Sequence, residues 1–205
     1  MALPLIAFVS CSDDDDGNSS SIADGNINGT LKILGYDEDY FPVFEGTVSD
    51  EIDEIKAFVG DSYEIGSAAV SNGKFSLKLN TPPNDYMGNL GEFPEEVKIS
   101  GEGARIADIY ILAYKNNTEV GYVYLKNADP MKRIECGIAY VDRSLSFSGN
   151  IERTIGEDVV SSVNYNSNFS KGWNITISIK EDLVSKTTYT SSNNVPSGVE
   201  WCIER

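Results

Sequence analysis

The sequence predicts an all-β protein, folded either as one antiparallel β-sandwich or as two consecutive β-sandwich subdomains. Three observations lead there. Runs rich in Val, Ile, Tyr and Thr recur along the chain, alternate apolar and polar residues with period two, and end in Gly, Asn, Asp or Pro. Ser71-Asn72-Gly73 stands between two such runs, and Asn-Gly accepts the positive φ angles that a type I′ hairpin turn requires. No long stretch carries a convincing helical stripe. Asp50 to Phe58 comes nearest, and its β-branched and aromatic residues fit a strand equally well.

Taken in order, the chain opens on Ala2 to Val9, an apolar run without charge that is too short to cross a bilayer of ~30 Å as a helix. A short apolar run that ends in a small residue and then Cys has the form of a bacterial secretion signal. Residues 1–10 are therefore expected to be a signal peptide, cut before Cys11, which would carry the lipid. Several acyl chains on one cysteine hold a protein firmly, because each buried methylene contributes about 0.8 kcal/mol. A buried first strand is the plainer alternative, and Pro4 and the four aspartates that follow Ser12 argue against it. Phe8-Val9-Ser10-Cys11 resembles a lipobox, with Phe8 in place of the common Leu and no Lys or Arg before it. Ser12 with Asp13, Asp14, Asp15 and Asp16 resembles the acidic export signal that follows the lipidated cysteine in surface-exposed lipoproteins of Bacteroidetes. That resemblance implies an outer-membrane protein, held by its lipid anchor and facing the medium.

The aspartate run fails as a calcium loop. With Gly17 at the sixth position, Ser12 takes the first and Ala23 falls where the closing glutamate must be. Gly17 to Asn26 is polar and poor in apolar groups, so residues 11–26 are expected to form a disordered tether.

Residues 27–126 are expected to form an N-terminal sandwich. Its strands read Thr30 to Leu34, Val43 to Val48, Ile52 to Val59, Glu64 to Val70 and Lys74 to Leu79. In the last, Phe75, Leu77 and Leu79 share one face while Lys74, Ser76 and Lys78 share the other. Thr81 to Pro94, with its prolines and Gly88 and Gly91, is a loop. Glu96 to Ser100, Ile106 to Tyr114 and Val120 to Lys126 follow, the last two joined across Lys115-Asn116-Asn117. Gly46-Thr47-Val48 and Asn72-Gly73-Lys74-Phe75 together resemble the opening strand and the hairpin of prealbumin-like or carboxypeptidase-regulatory-like β-modules. The resemblance is confined to that segment and implies a sandwich, with no activity attached.

The turn-like link from Lys126 to Lys132, with Asn127, Asp129 and Pro130, opens a C-terminal β-region, residues 127–205, which either has its own core or shares the first. Its strands read Ile134 to Val141, Leu145 to Gly149, Val163 to Phe169, Trp173 to Ile179, Thr187 to Thr190 and Val199 to Ile203. The run Tyr140 to Gly149, with Lys171-Gly172-Trp173-Asn174 and Pro196 to Trp201, resembles a C-terminal pattern of uncharacterised Bacteroidetes lipoproteins. It adds to the expected location and implies no activity.

Composition narrows the chemistry. The chain holds 32 acidic and 16 basic residues, a net charge of −16 at pH 7. Five acids and no base precede residue 27, which leaves 27 acids against 16 bases, or −11, for the rest. Such a surface repels phosphate, so no nucleic-acid partner is expected. The absence of His removes Ser-His-Asp and Cys-His nucleophile systems and every histidine-ligated zinc site. No metal, cofactor or catalytic residue is expected. A glycosidase needs only two carboxylates, but Glu95-Glu96 and Glu181-Asp182 are adjacent residues that a strand would send to opposite faces. Cys136 alternates with Ile134, Ile138 and Tyr140, whereas Cys202 falls opposite Val199, Trp201 and Ile203, so one is expected inward and the other outward, as two free thiols.

Two sets of aromatics are candidates for binding. Trp173 and Trp201 could stack on sugar, but each sits among apolar alternating partners and is expected in the core. Tyr36, Asp37, Asp39, Tyr40 and Phe41 fall in a loop between strands, and rings flanked by carboxylates that accept hydroxyl hydrogen bonds suit a carbohydrate. The expected function is therefore a non-enzymatic, lipid-anchored surface accessory that binds glycan or another surface protein. Two competing readings are a structural or fimbrial-type assembly subunit and a carboxylate-dependent glycoside hydrolase.

Overall fold

A computed structural model describes residues 22–155, 159–181 and 186–204. Cys11, Ser12 and Asp13 to Asp16 lie outside the described residues, as do the signal segment and Asp182. The described residues are all-β. The strands are β1 (Asn26–Tyr36), β2 (Pro42–Thr47), β3 (Glu54–Val59), β4 (Tyr63–Ala69), β5 (Lys74–Lys78), β6 (Gly88–Asn89), β7 (Lys98–Ser100) and β8 (Arg105–Lys115). They continue with β9 (Thr118–Lys126), β10 (Lys132–Val141), β11 (Leu145–Ile155), β12 (Val159–Phe169), β13 (Gly172–Glu181), β14 (Lys186–Ser192) and β15 (Glu200–Glu204). One 3-10 turn, Asn84–Tyr86, interrupts the long loop. No helix among the described residues is long and apolar enough to cross a membrane.

Local signals placed the strands well. Asn72 and Gly73 adopt φ 49° and 73°, and Asn116 and Asn117 adopt 50° and 62°, the paired positive values of type I′ turns. Asp50 to Phe58 resolves as a strand that starts at Glu54. The expected tether ends sooner than Asn26. Ile22, the lone large apolar residue of its neighbourhood, is fully buried and its N–H donates to the Asn193 carbonyl at 2.9 Å. The Gly25 carbonyl then accepts from the Leu79 N–H at 2.8 Å.

The strands form a mixed sheet that runs β2-β1-β15-β9-β8-β10-β13-β14-β12-β11-β7 and does not close into a barrel. β3, paired with β4 on one side, attaches to the second half of β8. β1 changes partners halfway: Asn26 to Thr30 pair with β5, and Leu31 to Tyr36 pair with β15 and β2. Two pairings are parallel, β1 with β15 and β12 with β14, where alternation alone had led to antiparallel neighbours. Parallel neighbours need a crossover rather than a hairpin, and local pattern carries no trace of which distant strand returns.

The C-terminal strand β15 thus lies between β1 and β9, inside the sheet that the first half of the chain begins. The main core draws Ile27, Leu31, Ile55, Leu77 and Ile111 from before the Lys126 to Lys132 link and Ile138, Trp173, Ile175 and Trp201 from after it. Trp201 stands edge-on to Phe75, with ring centres 5.7 Å apart and planes at 87°. Gly29 makes room for the pair, since a Cβ there would lie 2.5 Å from Trp201 Cδ1 and 2.8 Å from Phe75 Cζ. A second, smaller core gathers Val97, Val141, Leu145, Phe147 and Phe169.

One buried polar side chain explains how β14 enters between β12 and β13, which adjoin in sequence. Asn174 is buried and its side chain ties the corner together. Its Oδ1 accepts from the Ser170 N–H at 3.0 Å, and its Nδ2 donates to the carbonyls of Ser170 and Gly172 at 2.8 and 2.9 Å. The corner backbone is satisfied without a ladder between the two strands, which leaves them free to part.

Cys136 and Cys202 are both free. At Leu125, β9 stands between β10 and β15, so the two cysteines are separated by two strand spacings, about 10 Å. That exceeds the reach of a disulfide. Cys202 does not face outward as expected. It is fully buried, as is Trp201 on the opposite face of β15, so both faces of the strand are covered at this point. Burial pushes both thiols up to about 12.

Candidate binding site

The β1–β2 connection brings the predicted aromatics to the molecular surface. Asp37 builds its turn. Its Oδ1 accepts from the N–H groups of Asp39 and Phe41 at 3.0 and 2.8 Å, while its own N–H donates to the Phe41 carbonyl at 2.9 Å. This side chain fixes the backbone two to four residues on, the usual work of Asx turns. Tyr40 is held with φ at 63°, an uncommon conformation for a non-glycine residue, and its N–H donates to the Asp37 carbonyl at 3.0 Å. The result is three rings in solvent: Tyr36 is 53% exposed, Tyr40 86% and Phe41 46%.

Those three rings line one wall of a groove of about 470 Å³. The facing wall is the β9–β10 turn, made rigid by its own side chains. Asn127 Oδ1 accepts from the Ile134 N–H at 2.8 Å, Asn127 Nδ2 donates to the Lys132 carbonyl at 2.7 Å, and Asp129 Oδ1 accepts from the N–H groups of Met131 and Lys132 at 2.8 and 3.2 Å. Arg133, Glu135, Glu204 and Lys126 supply the polar lining. Of the five predicted residues the groove takes Tyr36, Tyr40 and Phe41. Asp37 is committed to the turn, and Asp39 is exposed beside the groove rather than in it.

Lys126 is the fixed point of the site. Its Nζ lies 2.7 Å from Glu204 Oε1, 3.8 Å from Glu135 Oε1 and 4.1 Å from the centre of the Tyr124 ring. Partial burial works against its charge, but the Glu204 hydrogen bond and the two carboxylates outweigh this and hold the ammonium above its ordinary value. Its charge is thereby spent within the protein. Among the described residues, no group of His, Cys, Asp or Glu is placed to hold a metal ion.

Beyond Lys126 and Glu135 a second open cleft of about 500 Å³ begins. Tyr124, Phe93, Phe147, Tyr165 and Tyr189 are among its walls, and Thr176 and Ser178 bring hydroxyls to it on the face of Tyr189. Tyr165 and Tyr189 are direct partners across the parallel β12–β14 pair and stack with ring centres 5.3 Å apart. Sequence reasoning missed this cleft, because Phe93 comes from a loop and its other rings from strands whose pairing no local signal announces. The alternating Tyr122 and Tyr124 of β9 were the one visible hint. Glu95 and Glu96 lie in an exposed turn before β7, so they are not a strand pair.

No protein-family model, curated protein or solved structure matches the chain. Fold and groove define a class on their own terms: an all-β protein that presents an open groove, rimmed by exposed rings and floored by paired charges.

Proposed function

We propose that the chain is a non-enzymatic, lipid-anchored protein of the outer-membrane surface that binds glycan in the groove between the β1–β2 tip and the β9–β10 turn. The observation that carries this reading is the set of three exposed rings, Tyr36, Tyr40 and Phe41, on a groove that also holds Lys126, Asn127, Arg133, Glu135 and Glu204. Ring faces pack against the C–H faces of a sugar, and flanking carboxylates and amides take its hydroxyls. The anchor rests on Cys11 and the outward address on Ser12 to Asp16.

Two experiments test it. A glycan array probed with the chain from Ser12 onward, which keeps the buried Ile22, is expected to show binding that Tyr40→Ala abolishes. Silence on every glycan refutes the reading. In cells, Cys11→Ala should release the protein from the membrane fraction, and replacement of Asp13 to Asp16 should leave it lipidated yet shielded from added protease. A second reading, the carboxylate hydrolase, is favoured by Glu135 and Glu204 reaching the same ammonium within this groove. New reducing ends from a bound glycan, lost in Glu204→Gln, would establish it.

A further inference from the structure

We infer that the two clefts form one continuous track for the interior of a long, neutral polysaccharide chain. The inference rests on the glycan reading of the tip groove and extends it to the substrate's length and charge. Both clefts are open, and they share Lys126 and Glu135 as a common boundary. A chain that lies against Tyr40 and Phe41 and passes over Lys126 and Glu135 therefore meets Tyr124 and then the stacked Tyr165–Tyr189 pair. Each cleft is the size of an ordinary small-ligand site, so the two together accept several sugar rings.

The lining favours sugar over a purely apolar occupant. Thr176 and Ser178, two apart on β13, put hydroxyls on the same sheet face as the Tyr189 ring, beside which a ligand with hydroxyl edges and apolar faces can lie. Charge selects a neutral chain. Lys126 already faces two carboxylates, and the chain as a whole carries −16, so a carboxylated or sulfated polymer meets net repulsion even with Arg133 on the lining of the tip groove. The geometry also gives the two clefts unequal roles. The tip engages any short segment, and the Tyr165–Tyr189 cleft engages only a chain long enough to pass Lys126.

The test is calorimetric titration of the chain from Ser12 onward with neutral gluco- and manno-oligosaccharides, from disaccharide to hexasaccharide, taken from whichever series binds. Affinity is expected to rise about tenfold or more with length, near 1.4 kcal/mol. Tyr189→Ala should remove that gain while leaving disaccharide affinity unchanged, Tyr40→Ala should weaken both, and Tyr63→Ala, an exposed ring on β4, should change neither. Circular dichroism confirms that each variant is folded. Affinity independent of length, or a hexasaccharide indifferent to Tyr189→Ala, overturns the track and leaves the tip groove standing. Tighter binding of a uronic-acid polymer overturns the charge argument and with it the inference. If no glycan binds, both readings fall.

Discussion

Replacing Trp201 with Ala tests whether the last strand of the chain holds the first half together. The side chain is 2% exposed. A Trp buries on the order of 150–250 Å², which at about 25 cal/mol per Å² is roughly 4–6 kcal/mol of transfer free energy. Its edge contact with Phe75 adds about 0.5–1.5 kcal/mol. Against this, Trp201 Nε1 is buried with no hydrogen-bond partner, a cost of about 1–3 kcal/mol that the variant relieves. The net loss should be about 3–5 kcal/mol, within the observed range for Trp→Ala in cores and a large part of a typical domain's stability. Trp201→Phe should cost less than Trp201→Ala, since it keeps a ring against Gly29 and Phe75 and drops the unpaired N–H. The assay is urea unfolding followed by the fluorescence of the remaining Trp173 and by far-UV circular dichroism. Trp173 belongs to β13 yet shares the core with Trp201, so both signals should move together to lower urea. A loss under about 1 kcal/mol, or a Trp173 transition that stays in place while the dichroism splits, would refute the shared core.

Other expectations follow from the same packing. Asn174→Ala leaves the Ser170 N–H and two carbonyls at the β12–β13 corner without their partner and should cost about 1–3 kcal/mol, read as a lower urea midpoint at unchanged slope. Asp142 accepts from the Arg105 backbone N–H at 2.9 Å, which, with the Arg105 and Arg143 guanidiniums and against the opposing effect of burial, holds its carboxyl below 3.8. A depressed carboxylate adds stability above its ordinary value and loses it as pH falls through the lowered one, so Asp142→Asn should flatten the acid limb of the stability curve below about pH 4. The two thiols behave in the opposite sense. Raised from 9.0 to about 12 by burial, they are favoured as neutral groups by the fold, and stability should decline as pH rises from 9 towards 12. Cys202→Ala should soften that decline, and iodoacetamide at pH 8 should label Cys202 only after unfolding, a result that ready labelling of native protein would contradict.

What the sequence made legible is local. Alternation located most strands to within a few residues, and the two paired-asparagine and Asn-Gly turns appeared where backbone chemistry demands positive φ. Trp173 and Trp201 were read as core on the strength of their alternating partners, and both are buried. The same rule misjudged Cys202. Period two says correctly that Cys202 and Trp201 point to opposite faces, yet both are buried, because both faces of β15 are covered there. What packs over each face of a strand is set by residues far away in sequence. The same limit hid the second cleft. Tyr36, Tyr40 and Phe41 are neighbours in the chain and could be seen together, whereas Tyr124, Tyr165 and Tyr189 come from three strands that only the folded sheet assembles. Asp37 looked like a ligand because carboxylates beside rings suit sugar, but its short side chain finds the Asp39 and Phe41 N–H groups first.

The most direct measurement is backbone-amide chemical-shift mapping of the chain from Ser12 onward during titration with the neutral oligosaccharide that binds best. If the groove is the binding site, perturbations gather at residues 36–41 and 126–135 and vanish in Tyr40→Ala. Perturbations confined to the exposed face of β3 and β4, or none at saturating sugar, would contradict it.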